Sequence, residues 1–360
     1  MVKHVVIMAG GAGKRLWPAS NKETPKQLLE LNKGKSLLHG TLERAFALNM
    51  EGKVIIVTHQ SQVEGCIEAC RDFSDEQREK VVVLAEPIAR NTAPALALAA
   101  QWIKHNHSVD DTVLVLAADH LISPVEAFVG DVETASVPAS EGFLVTFGII
   151  PSFPSTGYGY VETSVGDAAV RDVLSFREKP DRSTAEEFLT KGNYLWNSGM
   201  FAYSVKTFLE ELESSSPAIF EPFATLDKNS FPLEQKNGVH VPANLSAISD
   251  VYHKTAADSV DYAVMEKSGR IKVVPATMGW NDVGSWDVIA EESLTLPSDV
   301  LGGDSGSNYV YSDLPVALCG VEDLIVVVKN GSVLICKKGE SQLVKNVVDS
   351  LKDEGRDELL

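Results

Sequence analysis

What the chain is short of sets the first limits. No run reaches the ~18 apolar residues of a membrane helix, and the opening apolar stretch is too short for a secretory signal. Positive charge is scarce: 32 Lys and Arg stand against 50 Asp and Glu, a net charge of −18. Non-specific nucleic-acid binders are basic, so the balance argues against that partner, and no membrane partner is expected either. Cysteine is also scarce, and four in 360 residues make no disulfide framework. Spacing puts Cys66 and Cys70 on one helix, while Cys319 and Cys336 fall in apolar, strand-like runs. The set fits no common zinc pattern, so buried thiols in a cytoplasmic protein are expected. The eight histidines form no cluster. His59, His105, His107, His120, His240 and His253 are read as surface residues or ordinary polar contacts, and no Ser-His-Asp order stands out.

What is present is apolar residue in quantity, 44% of the chain, enough for one large α/β core and a small appendage. Val54–Val57, Val81–Leu84, Val113–Ala118 and Phe143–Phe147 are continuous apolar runs, as in strands buried on both faces. Helical patterns lie between them near 37–48, 92–105 and 124–136, the second with Asn91 or Thr92 as cap and Pro94 in its first turn. The alternation predicts a Rossmann-like, mostly parallel mixed sheet with helices on both faces. Segments 156–180 and 194–203 read as antiparallel strands, and 204–226 and 258–268 as helices. A Pro/Gly/Ser/Asp stretch near 297–307 reads as a linker. It divides a catalytic domain, 1–295, from a small β-rich unit, 296–360, that ends in an amphipathic helix from about 340 to 351.

The most telling segment follows the first apolar strand: Gly10-Gly11-Ala12-Gly13-Lys14-Arg15-Leu16-Trp17-Pro18. Glycines let backbone approach a ligand and let successive N–H groups converge on one anion. Lys14 and Arg15 add charge there, and Lys26 follows eleven residues on. The P-loop pattern fails, because Met8 and Arg15 stand where a Gly and a hydroxyl are required. The dinucleotide fingerprint fails at Leu16 or at Ala12. A tight strand-to-helix turn would explain the glycines alone, but not the adjacent cations. Asp119, at the end of the run Leu114–Ala118, lies at the edge where open α/β sheets bind ligands, though turns after strands also favour Asp. Asp282 lies among small and turn-forming residues. Two carboxylates plus phosphate oxygens suit Mg²⁺, but 163 residues separate these two.

The Gly10, Gly11, Gly13, Arg15, Leu16, Pro18, Pro25, Lys26 pattern resembles the signature of the sugar-nucleotide pyrophosphorylases. Glu86-Pro87-Ile88-Ala89-Arg90-Asn91-Thr92-Ala93-Pro94 is similar to a segment of their mannose-1-phosphate guanylyltransferase branch. The resemblance implies a metal held by Asp119 and Asp282, with Arg15 and Lys26 as catalytic cations. It implies nucleotide contacts at Gly10, Gly11, Gly13, Lys14, Glu86, Arg90, Asn91 and Thr92. Gly148, Tyr158, Gly159, Glu178, Lys179, Asn197 and Gly199 would line the sugar-phosphate pocket. Asp261 and Glu266 read as structural or as a solvated helix face. A carboxylate such as Glu86, or nearby backbone carbonyls, would accept guanine's N1–H and N2–H donors, and a site built so rejects bases lacking them. The implied reaction is GTP plus mannose 1-phosphate giving GDP-mannose plus pyrophosphate, with Mg²⁺. Some relatives carry a cupin-type isomerase domain, for which this sequence leaves no room; residues 300–360 are read as a cap or a homodimer contact. Three alternatives stay open: another nucleotide or sugar, a non-catalytic regulatory subunit, and a dinucleotide-dependent oxidoreductase.

Overall fold

Alternate residues of the first strand face opposite ways. Val6 packs into one apolar cluster, Val5 and Ile7 into another, as the two-residue period of a strand requires. In the computed structural model, which describes residues 1–11, 13–32, 34–292, 294, 300–301 and 307–360, that strand is β1 (His4–Ala9). β2 (Val54–His59), β3 (Val81–Glu86) and β4 (Thr112–Ala117) follow the apolar runs closely. β5 (Leu144–Ile149), β6 (Tyr160–Thr163), β7 (Arg171–Arg177), β8 (Tyr194–Ser204), β9 (Leu233–Lys236), β10 (Val239–Pro242) and β11 (Ile271–Pro275) complete an 11-stranded sheet. Its order is β9-β10-β3-β2-β1-β4-β8-β5-β11-β7-β6.

The β1–β4 part is parallel: β1 pairs Val5 with Val54 of β2 and Val5 with Leu114 of β4. β8 then runs antiparallel to β4, β5 and β6. Strand order reverses at β1, with β2 and β3 on one side and β4 on the other, so the crevice beyond the carboxyl ends of β1 and β4 is the switch point where open α/β sheets take ligands. Helices α1 (Leu37–Ala47) and α3 (Val125–Ser140) cover one face through Leu38, Leu42, Phe128 and Val132. α2 (Thr92–Asn106) covers the other with α4 (Val205–Ser215) and α5 (Pro217–Ala224). The predicted 204–226 helix is thus two, broken at Ser216 before Pro217, because proline cannot continue a preceding helix without losing a backbone bond. The predicted 258–268 helix is a π-helical turn, Asp261–Met265.

The linker predicted at 297–307, and the 295/296 boundary, lie almost wholly outside the described residues. Past them, β12 (Tyr309–Ser312), β13 (Leu324–Lys329) and β14 (Ser332–Lys337) form a small sheet, followed by helix α6 (Val344–Asp353). This unit shares a core with the glycine-loop region: Leu16 and Trp17 pack with Val283, Trp286, Tyr311, Ile325, Val344 and Val348. The Trp286 indole donates to the Trp17 carbonyl (3.0 Å), and the Trp17 indole to the Leu359 carbonyl (2.8 Å). Cys66 and Cys70 are buried as expected, whereas Cys319 is exposed.

One buried carboxylate sets the path of the chain into Asp282. Asp131 of α3 accepts the Thr277 and Met278 N–H groups (2.8 and 3.1 Å) and the Thr277 hydroxyl (2.8 Å). Removing it orphans the buried Met278 N–H, at ~1–3 kcal/mol, while the Thr277 N–H lies where water can reach it. Asp131→Ala should therefore lower urea-unfolding stability by about 2 kcal/mol. A loss well under 1 kcal/mol would mean that the Met278 N–H also finds water and that Asp131 anchors nothing.

Candidate active site

The chain leaves β1 through Gly10 and Gly11, both open to solvent. Gly11 has φ +113°, a conformation that side chains disfavour, and nothing lies within 4 Å of a Cβ built at either glycine. Gly13 is left-handed (φ +57°), and a Cβ there would meet the Lys26 Cβ at 2.5 Å. Glycine at this position lets Lys26 lie against the loop. From Gly13 a tight turn, Lys14–Leu16, buries Leu16 and leaves Lys14 and Arg15 exposed. Lys26 is 9% exposed. Its Nζ lies 2.7 Å from Asp119 Oδ2 and donates to the Asp282 carbonyl oxygen (2.5 Å). Three stretches far apart in sequence therefore meet on one ammonium. Burial alone would raise the Asp119 pKa, but the Lys26 ammonium beside it overrides burial and holds the carboxyl below its ordinary range.

Arg15, Lys26, Asp119, Asp282 and Gly284 line one cavity of about 300 Å³, joined by Gly13, Lys14 and Lys345. Asp282 Oδ1 accepts the Tyr158 hydroxyl (2.9 Å). A Cβ on Gly284 would come within 3.0 Å of Asp282 Oδ2, so glycine keeps that oxygen clear. The all-oxygen donor set, two carboxylates with one Asp282 oxygen kept uncovered, and the cation already held by the Asp119 carboxylate fit a small divalent ion such as Mg²⁺.

Asp282 also lines a second cavity, about 270 Å³, with Tyr158, Gly159, Glu178, Lys179, Asn197 and Gly199. Six of the seven residues expected around a sugar phosphate thus come together. Gly148 is the correction. A Cβ there would strike Leu195 at 2.5 Å and Val273 at 2.9 Å, so its glycine serves sheet packing and not the cavity. Gly159 is different, because a Cβ there would overlap Glu178 Oε2. The register of β8 against β5 shifts between Asn197 and Phe201, where Gly199 has φ +71°, and such bulges re-aim side chains. Asn197 Oδ1 accepts from Thr146 Oγ1 and the Gly199 N–H, and its Nδ2 donates to Asp261 Oδ1 (3.0 Å).

Asp261 is therefore no solvated face. It lines the cavity, and burial, then the nearby Glu178 charge, push its pKa up to about 6. Glu266 holds the Glu178 N–H (3.0 Å). His120, read as an ordinary contact, also belongs to this cavity, where its Nδ1 lies 3.1 Å from the Trp280 indole N–H. An indole only donates, so Nδ1 accepts and the proton sits on Nε2. Burial holds the ring neutral by dropping its pKa to about 4. Trp280 also meets the Tyr158 ring edge-on at 5.4 Å. The -Asp119-His120- adjacency at a strand end was the available signal for His120. Lys345 was missed as well.

The nucleotide set divides. Asn91 caps α2 by accepting the Thr92 N–H, and Thr92 lines the second cavity while its Oγ1 accepts the Val260 N–H (2.8 Å). Arg90 donates from Nε to the Tyr252 carbonyl (3.1 Å), anchoring the loop. Glu86 ends β3 and accepts the Tyr252 hydroxyl (3.0 Å). Burial raises its pKa from 4.5 to about 7.

A strand-edge crevice holding cations over two carboxylates, beside a polar aromatic-walled cavity, defines a phosphate-handling transferase. A family model described as nucleotidyl transferase matches residues 4–298, and one described as a mannose-phosphate isomerase/GMP-like β-helix domain matches 299–351. Mannose-1-phosphate guanylyltransferase 2 of Escherichia coli O157:H7 is 36% identical over 99% of this chain and 74% of its own length. The Klebsiella pneumoniae mannose-1-phosphate guanylyltransferase is 39% identical over 98% and 74%. A solved structure from Thermus thermophilus, described as a mannose-1-phosphate geranyltransferase, superposes with TM-score 0.79 at 31% identity, covering 98% of this chain and all of that one. The chain belongs to the mannose-1-phosphate guanylyltransferase family of nucleotidyl transferases.

Glu86 generates a pH prediction. Its folded pKa lies above the unfolded value, so the native state holds the extra proton between pH 4.5 and 7 and stability falls as pH rises through that window. Glu86→Gln removes the ionisable group and keeps an acceptor for Tyr252. Thermal melts should show the variant level with wild type near pH 4.5 and more stable by roughly 2–3 kcal/mol above pH 7. Parallel curves across the range would sink the buried-carboxyl account.

Proposed function

We propose the following division of labour for the transfer of GMP from GTP to mannose 1-phosphate, which yields GDP-mannose and pyrophosphate. One observation carries it: Lys26 reaches Asp119 and Asp282 in a single cavity, and Asp282 is shared with the sugar-side cavity. Phosphates of the nucleotide lie over the first cavity and the sugar over the second, so the reacting atoms meet at Asp282.

A sugar phosphate is largely dianionic near neutral pH, its second pKa being about 6. Its oxygen is already a nucleophile and needs no general base. It attacks the α-phosphorus of GTP in line with the departing pyrophosphate, and the protein's work is positioning and charge neutralisation. Arg15 and the glycine-loop amides hold the β- and γ-phosphates, with Lys14 auxiliary. Lys26 turns its ammonium to the α-phosphoryl oxygens as charge builds there. Asp119 and Asp282 would hold Mg²⁺, which supplies Lewis-acid polarisation of the phosphoryl group. Glu178, Asn197 and Gly199 fix sugar hydroxyls, and His120 offers its Nε2–H to the same ligand. Lys179 meets the sugar phosphate. Glu86, at the sheet edge, reads guanine through its free carboxyl oxygen, with Asn91 and Thr92 fixing the loop.

Lys26→Ala and Asp282→Ala should each cut kcat by about 10³-fold while the variants still melt cooperatively. Either one turning over near wild-type rate would remove the role assigned to it. Turnover in excess EDTA should vanish and return with added Mg²⁺, and activity that survives chelation would contradict the metal. In a panel of four nucleoside triphosphates, Glu86→Gln should narrow the preference for GTP. An unchanged ranking would move base recognition to backbone carbonyls.

A further inference from the structure

Four cations surround the phosphate-side cavity, and one comes from the small C-terminal unit. Lys26 is neutralised by Asp119, and Lys14 Nζ lies 3.5 Å from Asp349 Oδ1. Arg15 and Lys345 have no carboxylate within ion-pair distance among the described residues, although both line the same cavity. In a protein of net charge −18, two uncompensated cations facing one cavity repel each other unless an anion lies between them.

Helix α6 puts Lys345 there by its packing. Val344 and Val348 are buried in the cluster that holds Leu16 and Trp17. Their neighbours Lys345 and Asp349, four residues apart, share the adjoining face of the helix. That face meets the Lys14–Leu16 turn, with Asp349 on Lys14 and Lys345 at the cavity. The contact is further pinned by the Asn330 amide, which donates to the Pro18 carbonyl (2.9 Å).

We propose that Lys345 is a substrate-binding residue for the departing pyrophosphate, contacting the β- and γ-phosphates of the nucleoside triphosphate opposite Arg15, and that Asp349 positions Lys14 beside it. The small C-terminal unit then completes the phosphate site. This deepens the functional reading above and rests on it for the identity of the anion. The two phosphates it contacts leave in the forward reaction. GDP-mannose retains only the α-phosphate of the triphosphate, so the two ligands report differently on Lys345.

The test is Lys345→Ala in the full chain, with Lys345→Arg as the charge-conserving control. Calorimetric titration with inorganic pyrophosphate and with GDP-mannose is set beside KM for GTP, mannose 1-phosphate and pyrophosphate in both directions. Lys345→Ala should weaken pyrophosphate binding and raise KM for GTP and pyrophosphate about tenfold, a charge-assisted contact's worth. GDP-mannose affinity and KM for mannose 1-phosphate should stay within about twofold, and Lys345→Arg should recover most of the loss. Unchanged pyrophosphate affinity overturns the proposal, and so does equal weakening of every ligand, which would mean only a loosened loop. Direct binding separates the two readings. A wild-type protein that binds pyrophosphate through Lys345, yet makes no GTP from GDP-mannose and pyrophosphate, would uphold this contact and overturn the transfer reaction alone.

Discussion

The site is organised by one ammonium in poor contact with water. A buried charge is costly unless paired and hydrogen-bonded, so Lys26 dictates what surrounds it. Asp119 must end β4 with its carboxyl on Nζ, and the chain at Asp282 must bring its carbonyl to the same atom. Gly13 must lack a Cβ, because the loop passes against the lysine's own Cβ. Asp131 holds the Thr277 and Met278 N–H groups and so fixes the chain that leads into Asp282. The arrangement is preorganised for anion transfer, since its charges are placed before ligand arrives and need little reorganisation.

The parallel strands were legible because burial on both faces leaves a continuous apolar run, and such runs occur at Val54, Val81 and Val113. The β9–β10 hairpin went unread. Its strands are short and half polar, but Asn237-Gly238 joins them, with φ +52° and +83° in a two-residue loop. That dipeptide is the strongest short hairpin signal and could have found it. β11 is five residues long and pairs in parallel with β5, which lies far upstream in the chain, a pairing that local pattern does not encode. Motif residues around the glycine loop and Asp119 were legible by chemistry and by resemblance, whereas Gly148 misled because a glycine forced by packing looks like one forced by a ligand. Asp261 and His120 owe their place to burial and to partners far away in sequence, Asn197 and Trp280, and single-sequence reasoning cannot see either. Lys345 is one of many lysines until the helix that carries it is docked.

The two cavities are chemically unlike, and their difference supports the division of the reaction proposed above. The first is flanked by cations and the glycine loop, suited to the concentrated charge of a polyphosphate. The second is walled by the Tyr158 and Trp280 rings, with the amide of Asn197 and the carboxyls of Glu178 and Asp261 also lining it, suited to a sugar's apolar face and its hydroxyls. Neutral His120 fits the same division. A charged imidazole there would compete with Lys26 for Asp119, and burial prevents it.

That division leaves the C-terminal sheet to be explained. A small unit attached only for shape would pack anywhere on the catalytic domain. This one buries Val344 and Val348 against Leu16 and Trp17, beside the residues that must stay still. The turn Lys14–Leu16 is three residues long, too short to hold itself rigid, and its own strand ends at Ala9. Its stiffness has to come from outside. Trp286 holds the Trp17 carbonyl from the Asp282 side, and α6 covers Leu16 from the C-terminal side. The glycine loop is clamped between the segment that carries Asp282 and the helix that carries Lys345. Losing that packing would free Arg15 to follow solvent, and with it the alignment on which the proposed in-line displacement depends.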